Sequence, residues 1–110
     1  MMLPATLVLR DHPDNPDSPS ASALRLGGAL LASNRELRVF LLDRGVGLAR
    51  GTGDSFELLN ELMEAGAEVR ACGFSLDRHQ IPESDLPGGI TRSSMKALAQ
   101  WCEDAQVFLF

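Results

Sequence analysis

The chain alternates short apolar runs with longer stretches in which apolar residues recur every three or four positions. Residues 3–9 hold Leu3, Ala5, Leu7, Val8 and Leu9, a run too short for a helix and without regular polar alternation, which predicts a strand buried on both faces. Residues 10–20 carry three prolines, three aspartates and an asparagine, which propagate neither regular structure and predict a long polar loop. Ser18, Pro19 or Ser20 can open a helix there, and Ala21, Leu24, Ala29, Leu30 and Leu31 carry its apolar stripe to about Ser33 or Asn34. Inside it, Gly27 and Gly28 cost about 1 kcal/mol each against alanine. Close packing against a sheet or a neighbouring subunit would explain the pair, and so would simple tolerance.

Val39-Phe40-Leu41-Leu42 predicts a second buried strand, which runs out into the polar, glycine-rich stretch from Asp43 to Gly47. Gly53 and Asp54 open a strongly periodic helix with Phe56, Leu59, Leu62 and Met63 on one face. Glu57, Glu61 and Glu64 lie off that face and read as a solvated surface, and Gly66 stands where a left-handed cap belongs. Residues 67–72 predict a third strand, and the β-α-β-α-β order implies parallel strands. Residues 73–81 predict a short helix capped by Ser75 and stopped by Pro82, and residues 83–89 a loop. Ile90 marks a very short strand. Ser93 or Ser94 then caps a helix with Met95, Leu98, Ala99 and Cys102 on its apolar face, and residues 106–110 form a last strand. The predicted fold class is α/β: a single domain over residues 1–110, a three-layer sandwich with a four- or five-stranded, mainly parallel sheet.

Composition narrows the function classes. With 110 residues there is room for one core, and 45% apolar against 23% charged residues is ordinary for a globular protein. Ten Lys and Arg against fifteen Asp and Glu leave a net charge of −5 without a basic run, which argues against nucleic acid as a partner. No apolar run approaches the ~20 residues that span a bilayer, and the start of the chain does not form a secretory signal, so the expected location is cytoplasmic, with no membrane partner. Cys72 and Cys102 belong to no CxxC or Cys/His group with metal-ligand spacing, so no metal or other cofactor is expected, and a disulfide between them would be unusual in a reducing compartment.

In an open parallel sheet, ligands bind outside the carboxyl ends of the strands. This selects Asp11 and His12 after the first strand, Asp43 and Arg44 after the second, Cys72 with Gly73 at the third, and Gly88-Gly89 before the last helix. Cys72 is the most pointed of these. A thiol at a strand end, followed by a glycine and a helical turn, can be held as thiolate, and Arg70, Arg78 or His79 could add positive charge. It can equally be a small buried hydrophobe. Cys102, in an apolar stripe beside Trp101, reads as core. His12 and His79 read as surface residues, with service as a base to the thiol the alternative. Gly45-x-Gly47 followed by Gly51 is not the dinucleotide fingerprint and follows the wrong strand, and the chain lacks the lysine a phospho-acceptor receiver domain would carry beyond its last strand.

Several segments together resemble one family. They are Leu24-Arg25-Leu26, the run from Val39 to Val46, the stretch L-x-E-A-G-A-E-V-x-A-C-G ending at Gly73, and G-G-I-x-x-S-S-M-x-x-L from Gly88 to Leu98, followed by Trp101 to Phe110. Over nearly its whole length the chain resembles the DsrE/DsrF-like family. The resemblance implies a role in intracellular sulfur metabolism, with Cys72 matching the cysteine that carries sulfane sulfur as a persulfide in sulfur-relay subunits. It also implies a homotrimer or homohexamer, exchanging sulfur with donor and acceptor proteins. Asp43, Arg44, Gly73, Phe74, Ser75, Gly88 and Gly89 are the expected substrate-binding residues around Cys72. The chain departs from the family's pattern in its Pro/Asp-rich loop and at Phe74, a bulky residue placed to shield the thiol. Against a sulfur carrier with sulfurtransferase-like activity stands a non-catalytic homo-oligomer that binds a small ligand or a protein, with Cys72 packed beneath Phe74 and a pocket formed by Asp43, Arg44 and the Gly88-Gly89 loop.

Overall fold

The computed structural model describes residues 2–13 and 17–110; Asp14, Asn15 and Pro16 of the expected loop lie outside them. Five strands, β1 (Ala5–Leu9), β2 (Leu37–Leu41), β3 (Glu68–Cys72), β4 (Ile90–Ser93) and β5 (Gln106–Leu109), form one sheet in the order β4-β3-β2-β1-β5. Every pairing is parallel, with Val8 beside Phe40 and Cys72 beside Ser93. All carboxyl ends therefore lie along one edge.

The helices are α1 (Pro19–Ala32), α2 (Asp54–Glu64), α3 (Gly73–Arg78) and α4 (Met95–Cys102). Ser18 opens α1 and Ser94 opens α4, each accepting a backbone N–H from the residue three positions on. The first three helices end alike. Asn34, Gly66 and Gln80 take positive φ, and the next N–H reaches back to Leu30, Leu62 and Leu76 respectively, the double closure of a Schellman cap. That cap ends α3 at Arg78, short of the stop expected at Pro82.

The two faces of the sheet are covered unequally. Leu7, Leu9, Leu37, Val39, Leu41, Val69 and Ala71 meet Leu24, Leu59, Leu62 and Leu76 in the main core. Each buried leucine contributes roughly 1.5–3 kcal/mol by leaving water. Gly27 owes its place to this contact. A Cβ there would stand 3.1 Å from Leu62, 3.2 Å from Leu37 and 3.4 Å from Leu7, so close packing on the sheet and on α2 explains it, while Gly28 has room to spare. On the other face α4 alone crosses from β4 toward β5 and packs Leu98 and Trp101 on Val8, Phe40 and Cys72.

Two elements differ from the sequence pattern. Residues 43–50, expected as loop, form a 3₁₀ helix whose Val46, Leu48 and Ala49 are buried in the core. Gly45 makes this possible, because a Cβ there would lie 2.0 Å from the Leu9 carbonyl oxygen. On α4 the buried residues are Leu98 and Trp101, while Met95 is 55% exposed and Ala99 faces solvent. The sheet beneath offers Phe40, whose ring meets the Trp101 ring edge-on at 6.2 Å, and this turns the helix by one position from the expected face.

Candidate functional site

The carboxyl edge of the sheet brings together the ends of β1, β2 and β3. Cys72 is the last residue of β3 and the cap residue from which α3 starts, with extended backbone at φ −63° and ψ 120°. Ser75, expected as that cap, instead sits buried in the first turn of α3. Its Oγ accepts the Asp43 N–H at 2.9 Å. This bond ties α3 to the end of β2 and holds Asp43, a non-glycine residue, at φ 52°. Positive φ costs such a residue of order 1 kcal/mol, so Asp43 adopts it because its surroundings impose it.

Cys72 is 2% exposed and packs with Val8, Phe40, Leu98 and Trp101. Phe74 does not shield it. Its ring is 69% exposed and lies 5.8 Å from the Arg78 guanidinium carbon. The cations expected near the thiol are engaged elsewhere: Arg70 bonds Glu68 at 2.9 Å and stacks 4.2 Å from the Trp101 ring centroid, and His79 ends α3, its carbonyl accepting from Arg50. Arg92 of β4 takes their place. Its Nη1 and Nη2 donate to the two Asp77 carboxylate oxygens at 2.9 Å each, and its guanidinium lies flat against Gly73, where a Cβ would meet Cζ at 2.8 Å. Hydrogen bonds from Arg92 hold the Asp77 carboxyl below its ordinary 3.8.

Beyond the ends of β1 and β2, a crevice of about 380 Å³ is lined by Arg10, Asp11, Pro19, Asp43, Arg44 and Phe110. Arg44 donates to Asp11 across it at 3.0 Å. Gly88 and Gly89 are not part of this edge: they precede β4, whose Ile90 pairs with Val69 near the start of β3, so they lie at the opposite end of the sheet, and a Cβ on Gly89 would meet Met63 Sδ at 3.1 Å. The pocket expected from Asp43, Arg44 and these glycines together is therefore split across two ends of the molecule. Cys72 and Cys102 are both free thiols. Among the described residues no group of three or more His, Cys, Asp or Glu side chains could hold a metal ion, and no helix is long and apolar enough to cross a membrane.

A model of the DsrE/DsrF-like family matches residues 5–110. The chain belongs to the DsrE/DsrF-like family. That places it in a family connected with sulfur metabolism. It is similar to the E. coli protein ychN, at 28% identity and a TM-score of 0.86 over 99% of this chain and 100% of that one. A protein of unknown function, MTH1491 from Methanobacterium thermoautotrophicum, shares the fold at a TM-score of 0.80 and 18% identity, covering 97% and 99% of the two chains. Among curated relatives, the uncharacterized protein MJ0989 of Methanocaldococcus jannaschii is 30% identical over 76% of this chain and 79% of its own length. The uncharacterized protein MK0008 of Methanopyrus kandleri is 28% identical over 96% and 91%.

In this DsrE/DsrF-like chain, Arg92 is the site residue that sequence reasoning missed. It falls on an unspecified position of the G-G-I-x-x-S-S-M stretch, and only the β3–β4 register, with Ala71 beside Arg92, brings it to Gly73. A signal was present in the sequence, namely a long cation one residue before the strand end that pairs with Cys72.

Proposed function

We propose that this DsrE/DsrF-like protein is a cytoplasmic sulfur carrier with sulfurtransferase-like activity, holding sulfane sulfur as a persulfide on Cys72. The observation that carries the reading is the place of Cys72, the last residue of a parallel strand, at the edge where this architecture puts its ligands. In the reaction the Cys72 thiolate attacks the outer sulfur of a donor persulfide R–S–SH. The donor S–S bond breaks, R–S⁻ leaves with the electron pair, and Cys72–S–SH forms. An acceptor thiolate then attacks the outer sulfur and releases the Cys72 thiolate, so the cycle needs no net oxidant. Donor and acceptor are proteins or low-molecular-weight persulfides and thiols. Access comes from local opening of α4, the single short helix over the thiol, at less cost than global unfolding.

The 2% exposure of Cys72 favours a second reading, a non-catalytic homo-oligomeric binding scaffold in which the thiol is core. Either reading is served by assembly as a homotrimer or homohexamer, which would cover the exposed Leu3 and the Val107 and Leu109 side chains of the edge strand β5. The deciding experiment incubates native protein with a low-molecular-weight persulfide and reads each cysteine peptide by mass spectrometry. A sulfur-mass adduct on Cys72, lost again to an added thiol, is the expected result. An unmodified Cys72 that becomes reactive only in denaturant sinks the carrier reading and leaves the scaffold.

A further inference from the structure

Gly73 and Arg92 fit each other in a way that packing alone does not demand. Arg92 is a surface residue on the edge strand β4, free to extend into water, yet its guanidinium is drawn over the residue that follows Cys72. Two structural features hold it there. The Asp77 carboxylate, one turn further along α3, accepts from both terminal nitrogens at 2.9 Å, the fork geometry that fixes a guanidinium plane. Gly73, buried and without a Cβ, leaves the space that the plane fills, at 2.8 Å from Cζ and Nε and 2.9 Å from Nη2 to the position a Cβ would take. The charge of Arg92 is favoured first by its hydrogen bonds to Asp77, then by the charges of Asp77, of Glu83 and of Cys72.

We infer that Arg92, held by Asp77 over Gly73, is a positioning residue that stabilises the negative charge of Cys72 as thiolate and as persulfide. The inference deepens the carrier reading and rests on it for its biological sense. A charge of opposite sign close to a thiol raises the fraction present as nucleophile, and in a sulfur carrier it steadies both the attacking and the released thiolate. Because β3, β4 and α3 hold Arg92 while α4 covers the thiol, Arg92 stays in place when α4 opens.

The test is the rate at which native protein is alkylated at Cys72 by iodoacetamide, a neutral reagent, at fixed pH near neutrality, with unfolding stability measured for each variant. Arg92→Gln should label roughly threefold to tenfold more slowly than wild type at low salt, and 1 M salt should shrink the difference. Arg92→Lys, which keeps the charge and loses the fork, should recover much of the rate. Gly73→Ala is the independent variant. Alanine suits a helix better than glycine, but its Cβ displaces the guanidinium, so the protein should stay folded and label slowly. Wild-type rates in Arg92→Gln and Gly73→Ala would overturn the inference, as would an Arg92→Lys rate no better than that of the glutamine variant. A parallel arm with a low-molecular-weight persulfide reads sulfur mass on wild-type Cys72. Failure there removes the carrier reading, whereas failure in the alkylation arm removes Arg92, so the two are told apart.

Discussion

The two faces of the sheet are built on different terms. One is layered with α1, α2, α3 and the 3₁₀ helix, and its strand residues are aliphatic from end to end. The other is covered by eight residues of α4, and its strand positions include Arg38 and Arg70 between the apolar Val8, Phe40 and Cys72. There Trp101 does the work of a layer. Its ring meets Phe40 edge-on and receives the Arg38 and Arg70 guanidiniums at 5.8 and 4.2 Å, while Arg38 also donates to the Trp101 carbonyl and to Asp104. Cation–ring contacts of this kind are worth about 0.5–1 kcal/mol each at partly exposed sites, far less than a filled aliphatic layer. The difference teaches where reactivity can be placed. A thiol under the thick face would be reachable only by unfolding the protein, whereas one under α4 is separated from solvent by a single helix.

The comparison can be broken most directly at its strong side. Leu41→Ala, on the thick face and fully buried, should lower the unfolding free energy by about 3 kcal/mol in a denaturant titration. Leu98→Ala on the thin face should cost about 2 kcal/mol or less and speed Cys72 alkylation at least tenfold, because the helix it anchors opens more often. Equal costs with no change in labelling would erase the distinction between the faces.

Smaller effects sharpen it. Ser75→Ala removes the acceptor of the Asp43 N–H and should cost about 1 kcal/mol, with amide exchange quickened at Asp43 and little change in the labelling of Cys72. The smallest expected effect is that of acid on Asp77. Its folded value lies below the ordinary 3.8 because Arg92 hydrogen-bonds it, so the pair's contribution is fully present above about that pH and is lost as pH falls through the lower folded value. At this exposed position the contribution is small. Comparing acid unfolding of wild type and Asp77→Asn should therefore show slightly less stability loss below pH 3.8 in the variant, and no difference in slope above pH 5.

Much of this arrangement was legible along the chain. Four buried runs separated by capped, periodic helices dictate a parallel α/β sheet, because no other packing hides strands that are apolar on both sides. Ser18, Gly66 and Ser94 marked helix ends correctly, since caps are local hydrogen bonds that need only their neighbours in sequence. The resemblance named the family, and Cys72 stood out as the thiol at a strand end. The 3₁₀ helix at residues 43–50 was hidden because its apolar residues follow neither helical nor strand periodicity, and its entry depends on a glycine meeting the backbone of β1. What joins α3 to β2 is a bond between residues 32 apart, and what brings Arg92 to Gly73 is a strand register. Gly88 and Gly89 left the candidate site for the same reason: which end of a strand a loop occupies follows from the direction of the strand after it. The sequence by itself determined the elements, their order and their caps, which are set by local hydrogen bonding and hydrophobic period. The partners of Ser75, Arg92 and Cys72 were decided only by the tertiary structure, because they arise from contacts between segments that no local pattern encodes.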